Sequence, residues 1–468
     1  MITDLKPYAE YKDSGLPWLG QVPGHWTTRV LKRLCTRSAL YGANIPAANY
    51  VSAGVRFLRT TDITDEGTLR RGGVFVGEDS CHDYMLVDGD ILVSRSGTIG
   101  RSLRYRAEVH GPCAYAGYLV RFVPKPIISA DYLFHFTKSL AFADFIRVSA
   151  VSSTIENVNG DKYANMPIPL PPPSEQAAIV RFLDWANGRL ERAIRAKRKV
   201  IALLNEQKQA IIHRAVTRGL DPSVPLKDSG VQWLGEIPAH WEVRRAKYLF
   251  VEVDDRSKEG KETHLAMSQR LGLVPSGMVN SAMRSESYAG AKLCEEGDLV
   301  LNRLKAHLGV FALANQGGVI SPDYSVFRKR AAISMQYYES VLKSSACRRE
   351  LRIRAKGLVE GFWRLYTDDF YDIRLPVPPV LEQYEIMSAM SVQTAGLDTA
   401  ISRLEREITL LREYRTRLVA DVVTGKLDVR EAAAALPEEE PLAEVTDLPD
   451  LDDEMLENED SNDSEMQE

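Results

Sequence analysis

The chain lacks the signatures of several enzyme classes. It contains no NPPY-like or DPPY-like tetrapeptide of the amino-methyltransferases and no GxxxxGK[ST] phosphate-binding loop. A nuclease motif would need a Pro-Asp pair followed by Glu-x-Lys, but here Pro322-Asp323 comes after Glu259-Gly260-Lys261. We therefore predict that the chain alone neither methylates a base, hydrolyses ATP nor cuts a strand, and we assign no catalytic residue.

Signs of a metal site, a disulfide framework or a membrane segment are also missing. The five cysteines are scattered without a CxxC pair, and the eight histidines show no spacing typical of metal ligands. No run of about 18 apolar residues occurs, and the amino terminus has neither a basic start nor an apolar core. We expect a cytoplasmic chain without a metal, a cofactor or membrane contact of its own.

Negative charge is concentrated at one end. From Pro437 onward the chain holds 15 Asp and Glu residues and neither Lys nor Arg. Residues 1–436 then hold 59 basic and 49 acidic residues, a net charge of +10, which favours a polyanion such as nucleic acid as partner. The acidic segment fits a disordered, solvating tail. A second hypothesis is that it competes with DNA for the basic body.

The sequence repeats itself once. Residues 13–34, DSGLPWLGQVPGHWTTRVLKRL, return as residues 228–249, and 12 of the 22 paired positions are identical. A second repeat, at an offset of 207, pairs residues 174–221 with 381–428. Solenoids repeat about every 20–50 residues, so one duplication of this length predicts two whole domains related by pseudo-twofold symmetry. We call the segments 13–34 and 228–249 the tryptophan motifs.

Each half runs in the same order, from a tryptophan motif through a strand-rich stretch and a proline hinge to a long helix. Alternating apolar and polar residues with Gly and Asp punctuation predict strands within 55–64, 72–77, 88–100, 117–123, 297–309 and 323–330. Prolines in the hinges, 166–176 and 373–383, exclude helix before Ser174 and Leu381, and Ser174 is the expected N-cap.

The fold class is therefore α+β, with two strand-rich domains that are each followed by a long helix. The expected divisions are a first domain at 1–170, its helix at 171–220, a second domain at 221–377, its helix at 378–430 and an acidic tail at 431–468.

The two long helices share a heptad-like register. Apolar residues recur at steps of four and three, and every position matches its partner at an offset of 207. The apolar members are Leu190, Ile194, Ile201, Leu204, Ile211, Leu397, Ile401, Leu404, Ile408, Leu411, Leu418 and Val422. We predict that the two helices pair as an antiparallel coiled coil, with cations at Lys197, Lys208 and Arg415. The alternative is that each helix packs on its own domain.

These motifs together resemble the specificity subunit of type I restriction-modification systems. The most specific parts are KDSGxxWLGxxPxHW at 12–26 and 227–241, PPxxEQ at 171–176 and 378–383, and the helix end at 410–428. The resemblance spans Tyr11 to Arg430, and the acidic tail departs from it. It implies two target-recognition domains that read the halves of a split site in double-stranded DNA. It also implies two methyltransferase subunits and restriction (motor) subunits as partners, which would bind S-adenosylmethionine, ATP and Mg²⁺.

Candidate DNA contacts are polar and cationic residues at strand ends of the divergent stretches. Arg and Asn can read guanine and adenine bidentately, whereas Ser and Thr mostly position phosphate. The candidates are Arg59, Thr60, Thr61, Ser94, Arg95, Ser96, Thr98 and Tyr118 in the first half, and Asn302, Arg303, Lys305, His307 and Tyr324 in the second.

Alternatives stay open for several of these residues. Arg95 and Arg303 occupy aligned positions, so they could instead form a structural ion pair common to both domains. Tyr118 and Tyr324 could be buried strand residues. Two rival functions are a coiled-coil scaffold that joins protein-binding domains without touching DNA, and a stand-alone restriction or modification enzyme.

Overall fold

A computed structural model describes residues 5–150, 157–268, 271–279, 288–357 and 363–437. The chain divides into two compact units. Unit 1 comprises residues 1–197 and 405–443, and unit 2 comprises residues 198–404. Most of the predicted acidic tail, 438–468, lies outside the described residues. Among the described helices, none is both long and apolar enough to span a bilayer.

Unit 1 is built on a four-stranded antiparallel sheet. Its strands are β1 (Tyr11–Asp13), β2 (Gln21–Pro23), β3 (Thr27–Val30), β4 (Cys35–Tyr41), β5 (Val55–Leu58), β6 (Val74–Val76), β7 (Ile91–Ser94), β8 (Ser102–Arg104), β9 (Cys113–Tyr115), β10 (Leu119–Pro124) and β11 (Pro167–Leu170). The main sheet has the order β4-β10-β7-β8. A three-stranded sheet, β6-β5-β9, and the pairs β1-β2 and β3-β11 complete the unit's sheets.

Short helices and one long helix follow in unit 1. They are α1 (Leu31–Leu34), α2 (Glu78–Cys81), α3 (Ala107–His110), α4 (Ala130–Thr137), α5 (Leu140–Ala150), α6 (Gly160–Ala164) and α7 (Pro173–Arg218). Because its interior Leu, Val and Arg residues are covered on both faces, the central strand β10 is buried from Leu119 to Phe122.

Unit 2 repeats the main sheet. Its strands are β12 (Leu226–Asp228), β13 (Glu236–Pro238), β14 (Glu242–Arg245), β15 (Phe250–Val253), β16 (Leu265–Ser268), β17 (Gly272–Pro275), β18 (Lys292–Cys294), β19 (Leu299–Asn302), β20 (Phe311–Leu313), β21 (Gly318–Ile320), β22 (Tyr324–Lys329) and β23 (Arg374–Val377). The four-stranded order is β15-β22-β19-β20. The pairs β12-β13 and β14-β23 also have counterparts in unit 1. Besides its main sheet unit 1 has a three-stranded sheet, whereas unit 2 has the pairs β16-β17 and β18-β21.

The remaining helices are α8 (Met335–Lys343), α9 (Ser345–Arg354), α10 (Thr367–Tyr371), α11 (Val380–Val423) and α12 (Arg430–Ala434). A long helix therefore follows each strand-rich region, as the sequence predicts. Both begin one residue early, and Ser174 is not the N-cap, because α7 starts at Pro173. Proline is well tolerated there, since the first helical amide has no partner within the helix.

The end of α11 belongs to the core of unit 1. Leu418 and Val422 are buried in the cluster that holds Trp26 and Phe182. The hydroxyl of Tyr132, on α4, donates to the carbonyl of Val423 at 3.1 Å. Unit 2 is completed in the same way by the end of α7, whose Val216 carbonyl accepts a hydrogen bond from Tyr337 at 2.8 Å. Leu436 is also buried, so the packed part of unit 1 extends beyond the predicted boundary at residue 430.

The twelve predicted seam residues are all buried or half-buried. The cations in the same register each meet a carboxylate on the other long helix. In unit 1 Lys197 Nζ lies 2.5 Å from Glu407 Oε2, and Arg415 Nη1 lies 3.4 Å from Glu191 Oε2. In unit 2 Lys208 Nζ lies 2.5 Å from an oxygen of Asp398. The cationic seam positions are therefore satisfied by ion pairs within each unit.

Candidate nucleic-acid interface

The frame of unit 1 is held by one carboxylate of the proline hinge. Glu175 Oε1 lies 2.7 Å from His25 Nε2, and its Oε2 accepts from Trp26 Nε1 at 2.9 Å. The hydroxyl of Tyr8 donates to the same oxygen at 3.2 Å, and Arg430 pairs with the carboxylate at 3.5 Å. Since the Glu175 side chain is 7% exposed, these bonds are largely sheltered from water. The tryptophan motif and the hinge motif thus meet at one residue.

Unit 2 has the same contact with fewer partners. Glu382 lies 2.8 Å from His240 Nε2 and accepts from Trp241 Nε1 at 3.0 Å. Its side chain is 23% exposed, against 7% for its counterpart in unit 1. The histidines of the repeated Pro-x-His-Trp turn therefore bind a hinge carboxylate and fix the turn.

The hinge glutamines make a second repeated contact. Gln176 Oε1 accepts from the backbone amide of Ser129, and its Nε2 donates to the carbonyl of Pro171. Gln383 bonds in the same way to the amide of Ser334 and the carbonyl of Pro378. The Glu-Gln pair of PPxxEQ is therefore structural, a role that the sequence pattern alone did not indicate.

At one edge of the main sheet of unit 1, three adjacent strands bring two tyrosines and an arginine together. Tyr41 ends β4, Arg95 follows the end of β7, and Tyr118 precedes β10. The guanidinium carbon of Arg95 lies 5.1 Å from the ring centroid of Tyr41 and 6.0 Å from that of Tyr118. The residues Tyr41 and Tyr118 are 43% and 60% exposed. Each cation–π contact of this kind contributes about 0.5–1 kcal/mol at an exposed site. We call these three side chains the Arg95 cluster.

Backbone packing between the two tyrosine-bearing segments fixes the Arg95 cluster. Ala43 donates to the carbonyl of Tyr115 at 2.9 Å, and Gly117 donates back to Ala43 at 2.9 Å. A Cβ at Gly42 would lie 2.2 Å from the carbonyl oxygen of Tyr115, so no larger residue fits between the segments. The Tyr41 hydroxyl accepts from the amide of Gly160 at 2.9 Å, which orients its ring.

The backbone before Tyr41 is unusual. Ala39 has a φ of 59°, the one positive value at a residue other than glycine in the described parts of the chain. Such a conformation is costly for alanine and is found where the surrounding structure holds it, often at functional sites. It lies two residues from a ring that contacts Arg95.

The predicted contact residues in and beside the loop after β7 differ in how deeply they are buried. Ser94 is fully buried, and its hydroxyl donates to the carbonyl of Thr98 within the loop. It therefore shapes the turn and is not placed to touch DNA. Ser96 and Thr98 are half-buried, and Gly97 is exposed with open space around its Cα. Tyr118 is exposed, so the alternative that it is a buried strand residue is wrong.

The other predicted segment of unit 1 begins with a closed ion pair. Arg59 Nε and Nη2 donate to the two oxygens of Asp62 at 3.1 and 3.0 Å. The Asp62 hydrogen bonds raise the pKa of Arg59, and Asp62 is buried. Thr60 is half-buried and Thr61 exposed. The guanidinium of Arg59 is thus bound to Asp62 within unit 1, and Thr61 is the exposed residue of the segment.

In unit 2 the residue aligned with Arg95 has a different role. Arg303 Nε donates to the carbonyl of Asp323 at 2.9 Å, and Nη2 donates to that of Pro322 at 3.0 Å. Its side chain is 23% exposed. The Asp323 carboxylate also accepts from Arg364 at 2.5 Å. Arg303 therefore secures the loop before β22, which is the structural alternative that the sequence left open, although through carbonyls more than through an ion pair.

The neighbouring candidates in unit 2 form a turn. Asn302 Oδ1 accepts from the amides of Leu304 and Lys305 at 3.0 and 3.2 Å, so this amide caps the turn. Lys305 is half-buried, and the side chain of His307 lies outside the described atoms. Burial raises the pKa of Tyr324, and its carbonyl accepts from Lys292 at 2.9 Å. Tyr324 is thus mainly a packing residue.

Sequence reasoning missed Tyr41, because it lies in β4, ahead of the strands that carry the other candidates. One signal was present in the sequence, because the aromatic residue Tyr41 is followed directly by a glycine in SALYGAN. The described residues include no cluster of three or more His, Cys, Asp or Glu side chains placed to hold a metal ion.

The comparisons with known proteins point to one family. The sequence model described as "Type I restriction modification DNA specificity domain" matches residues 41–198, which include the Arg95 cluster. The specificity subunit of the EcoKI type I restriction enzyme of Escherichia coli is 20% identical over 355 residues, or 72% of this chain and 75% of the relative. The MjaVIII specificity subunit of Methanocaldococcus jannaschii is 25% identical over 318 residues, or 64% and 70%.

A solved structure supports the fold. It comes from work on complex assembly and conformational transition of the type I R-M system. The likeness covers 87% of this chain and 99% of that chain, with a TM-score of 0.59 at 15% identity.

Proposed function

We propose that this chain, which belongs to the DNA specificity subunits of type I restriction-modification systems, recognises a bipartite DNA target through two unlike heads on a repeated frame. Unit 1 would read one half-site and unit 2 the other, with an unread spacer between the half-sites. The chain would contribute recognition and no catalytic step.

One observation carries this proposal, namely that equivalent sheet edges in the two units bear different side chains. Unit 1 presents an arginine between two exposed rings, whereas unit 2 has its aligned arginine bonded to loop carbonyls. The frame beneath is the same in both, with a hinge glutamate bound to a His-Trp pair. Identical heads would read identical half-sites, so the difference favours an asymmetric target.

We further propose that α7 and α11 pair as an antiparallel coiled coil and that the two halves arose by duplication. The ion pairs within each unit support the antiparallel direction. In unit 1, Glu191 pairs with Arg415, while Lys197, further along α7, pairs with the earlier Glu407 of α11. The repeated strand order of the main sheet supports duplication. The paired helices would set the length of the spacer.

The partners follow from the family and the frame. Two copies of the same hinge and helix would offer equivalent docking places to two methyltransferase subunits, with restriction subunits joining the complex. We propose that S-adenosylmethionine, ATP and Mg²⁺ are bound by those subunits and that the complex acts on DNA in the cytoplasm.

The proposed contact residues are drawn from the predicted set, and among them the side chain of His307 lies outside the described atoms. In unit 1 they are Thr61, Arg95, Ser96, Thr98 and Tyr118, joined by Tyr41; in unit 2 they are Lys305 and His307. The remaining candidates Arg59, Thr60, Ser94, Asn302, Arg303 and Tyr324 would shape the surface from inside each unit.

Selection from a randomised DNA pool tests the proposal. The chain would be purified with its methyltransferase subunits, and bound duplexes would be sequenced after several rounds. We expect two different short motifs at a fixed separation, and binding whose logarithm falls linearly with the logarithm of the salt concentration. A protein scaffold would bind no DNA in this way. A stand-alone enzyme would modify or cut DNA without added subunits.

A further inference from the structure

We propose that Arg95 reads a guanine in the half-site recognised by unit 1, with Tyr41 and Tyr118 holding its guanidinium for that contact. This inference rests on the proposed function and assigns one base-reading residue within it. The aligned Arg303 of unit 2 has no such role, so the guanine contact belongs to one half-site.

The side chain of Arg95 is held in place before any ligand arrives. Its guanidinium carbon lies 5.1 Å and 6.0 Å from the ring centroids of Tyr41 and Tyr118. Its backbone is fixed on both sides, since its amide donates to the Tyr118 carbonyl at 3.0 Å and its carbonyl accepts from Val158 at 3.0 Å. A planar group held over two aromatic rings loses little freedom on binding, so its hydrogen-bonding edge is prepared for a planar acceptor pair.

The guanidinium of Arg95 and some polar atoms near it lack an ion-pair or hydrogen-bond partner among the described residues. Within the described parts of unit 1 no carboxylate lies within 4.0 Å of its guanidinium, in contrast to Arg59, which is paired with Asp62. Arg95 Nε is buried and lacks a hydrogen-bond partner among the described residues, as do Thr98 Oγ1 in the same loop and Asn157 Oδ1, next to the Val158 that bonds to Arg95. Buried polar atoms of this kind usually find a partner, and a bound ligand can supply one.

Guanine is the base that fits these groups. Its O6 and N7 form an acceptor pair in the major groove, which matches the two parallel donors of an arginine fork. A phosphate contact would use the same charge but would carry no sequence information. The contacts with the two rings, and the lack of a carboxylate partner among the described residues of unit 1, favour the base contact, because positioning matters more for reading a base edge than for neutralising charge.

The test compares Arg95→Lys with Arg303→Lys in the complete complex with methyltransferase subunits, using selection from the randomised duplex pool. Lysine keeps the charge but lacks the planar fork. We expect Arg95→Lys to lose the preference for guanine at one position of one half-site, by about tenfold or more, with the other half-site unchanged. Arg303→Lys should leave the half-site of unit 1, including its guanine, as in the natural protein.

A second pair of variants distinguishes the loss of the ring contact with Arg95 from a loss of folding. Tyr118→Leu should weaken the same guanine preference, whereas Tyr118→Phe, which keeps the ring, should leave it intact. Thermal melting would confirm that all four variants fold. The inference is overturned if Arg95→Lys keeps the complete motif, or if it lowers recovery of all sequences equally. If the natural protein selects no bipartite motif, the proposed function itself fails, so the two failures are distinguishable.

Discussion

The two units are most alike where they are buried and least alike where they meet solvent. In unit 1 a hinge glutamate binds His25 and Trp26, and in unit 2 another binds His240 and Trp241 with distances that agree within 0.1 Å. At the exposed sheet edge, in contrast, Arg95 lies over two tyrosine rings while its counterpart is bonded to loop carbonyls.

A third comparison concerns an internal Asp–Arg ion pair that occurs in both units, with the arginine at different positions of the aligned strands. Asp90, after the turn that precedes β7, pairs with Arg121 of β10 at 2.7 Å, and Asp298 pairs with Arg328 of β22 at 2.9 Å. Burial raises the pKa of Asp90, and Arg121 opposes that rise. Ile91 pairs with Phe122 and Leu299 pairs with Phe327, so Arg121 and Arg328 lie two residues apart in the aligned strands, on the same face. The units therefore conserve the contact and not the residue number, which is what a structural requirement predicts.

Shortening both long helices should have the largest effect, because it changes the part that the units share. Deleting residues 197–203 and 404–410 removes one heptad from each helix and about 10.5 Å of rise, equal to roughly 3 base pairs. We expect the selected spacer to shorten by about 3 base pairs and both half-site motifs to stay. Selection from a randomised pool measures this directly. An unaltered spacer would refute the helix pair as the ruler.

Removing the hinge carboxylate should lower the free energy of unfolding more in unit 1 than in unit 2. Glu175→Ala leaves the buried Trp26 indole and the Tyr8 hydroxyl without their acceptor, and we expect unit 1 to lose about 2–3 kcal/mol. Glu382→Ala removes fewer and more exposed contacts, and we expect unit 2 to lose about 1 kcal/mol. Urea unfolding followed by hydrogen exchange in each unit would measure both, and equal losses would contradict the difference in burial.

A pH-dependent difference should appear at one lysine of unit 1. Burial lowers the pKa of Lys138 to about 7, against the opposing effect of Glu66 and Asp65. Its ammonium group donates to the carbonyls of Asp65 and Ser102 at 3.0 Å. Between about pH 7 and pH 10 the unfolded chain binds a proton at this residue that the folded chain releases, so the stability of unit 1 should rise with pH.

The matched variants for this prediction are Lys138→Met and Lys343→Met. Lys343 occupies the equivalent position in unit 2, where it is 40% exposed and donates to Glu339 at 2.7 Å. The rise between about pH 7 and about pH 9 should disappear in Lys138→Met and persist in Lys343→Met. Urea midpoints at the two pH values provide the measurement. A rise that survives in Lys138→Met would assign the effect to another group.

Deleting residues 438–468 should have the smallest effect. The segment starts from unit 1, where Arg181 Nη2 donates to the carbonyls of Leu436 and Pro437 at 2.9 and 3.3 Å. If the acidic residues compete with DNA, the deletion should tighten nonspecific binding about threefold at low salt and have no effect at high salt. Fluorescence anisotropy with a duplex of random sequence measures the change. Equal affinities at low salt would dispose of the competition.

The sequence predicted the frame better than the site. The sequence predicted the strand-rich stretches, both long helices and the resemblance to a family, because these depend on periodicity, prolines and repeated motifs. The roles of Glu175 and Gln176 were not, since their partners lie far apart in sequence and the pattern gives no sign of the distance. Tyr41 was missed because it lies in β4, ahead of the strands that carry the other candidates. The difference between Arg95 and Arg303 depends on loop contacts that the aligned sequences do not show.

The closing of unit 1 by the end of α11 has a consequence for the order of folding during synthesis. The core of unit 2 is assembled from residues between 212 and 390, which leave the ribosome in one continuous stretch. Unit 1 needs Leu418, Val422 and Val429, and its amide–carbonyl bond from Asp428 to Lys6 joins nearly the first described residue to nearly the last. Domains usually fold in the order in which they are made. Here the half that is made first must wait for its final helix, so unit 2 can complete its core before unit 1 does.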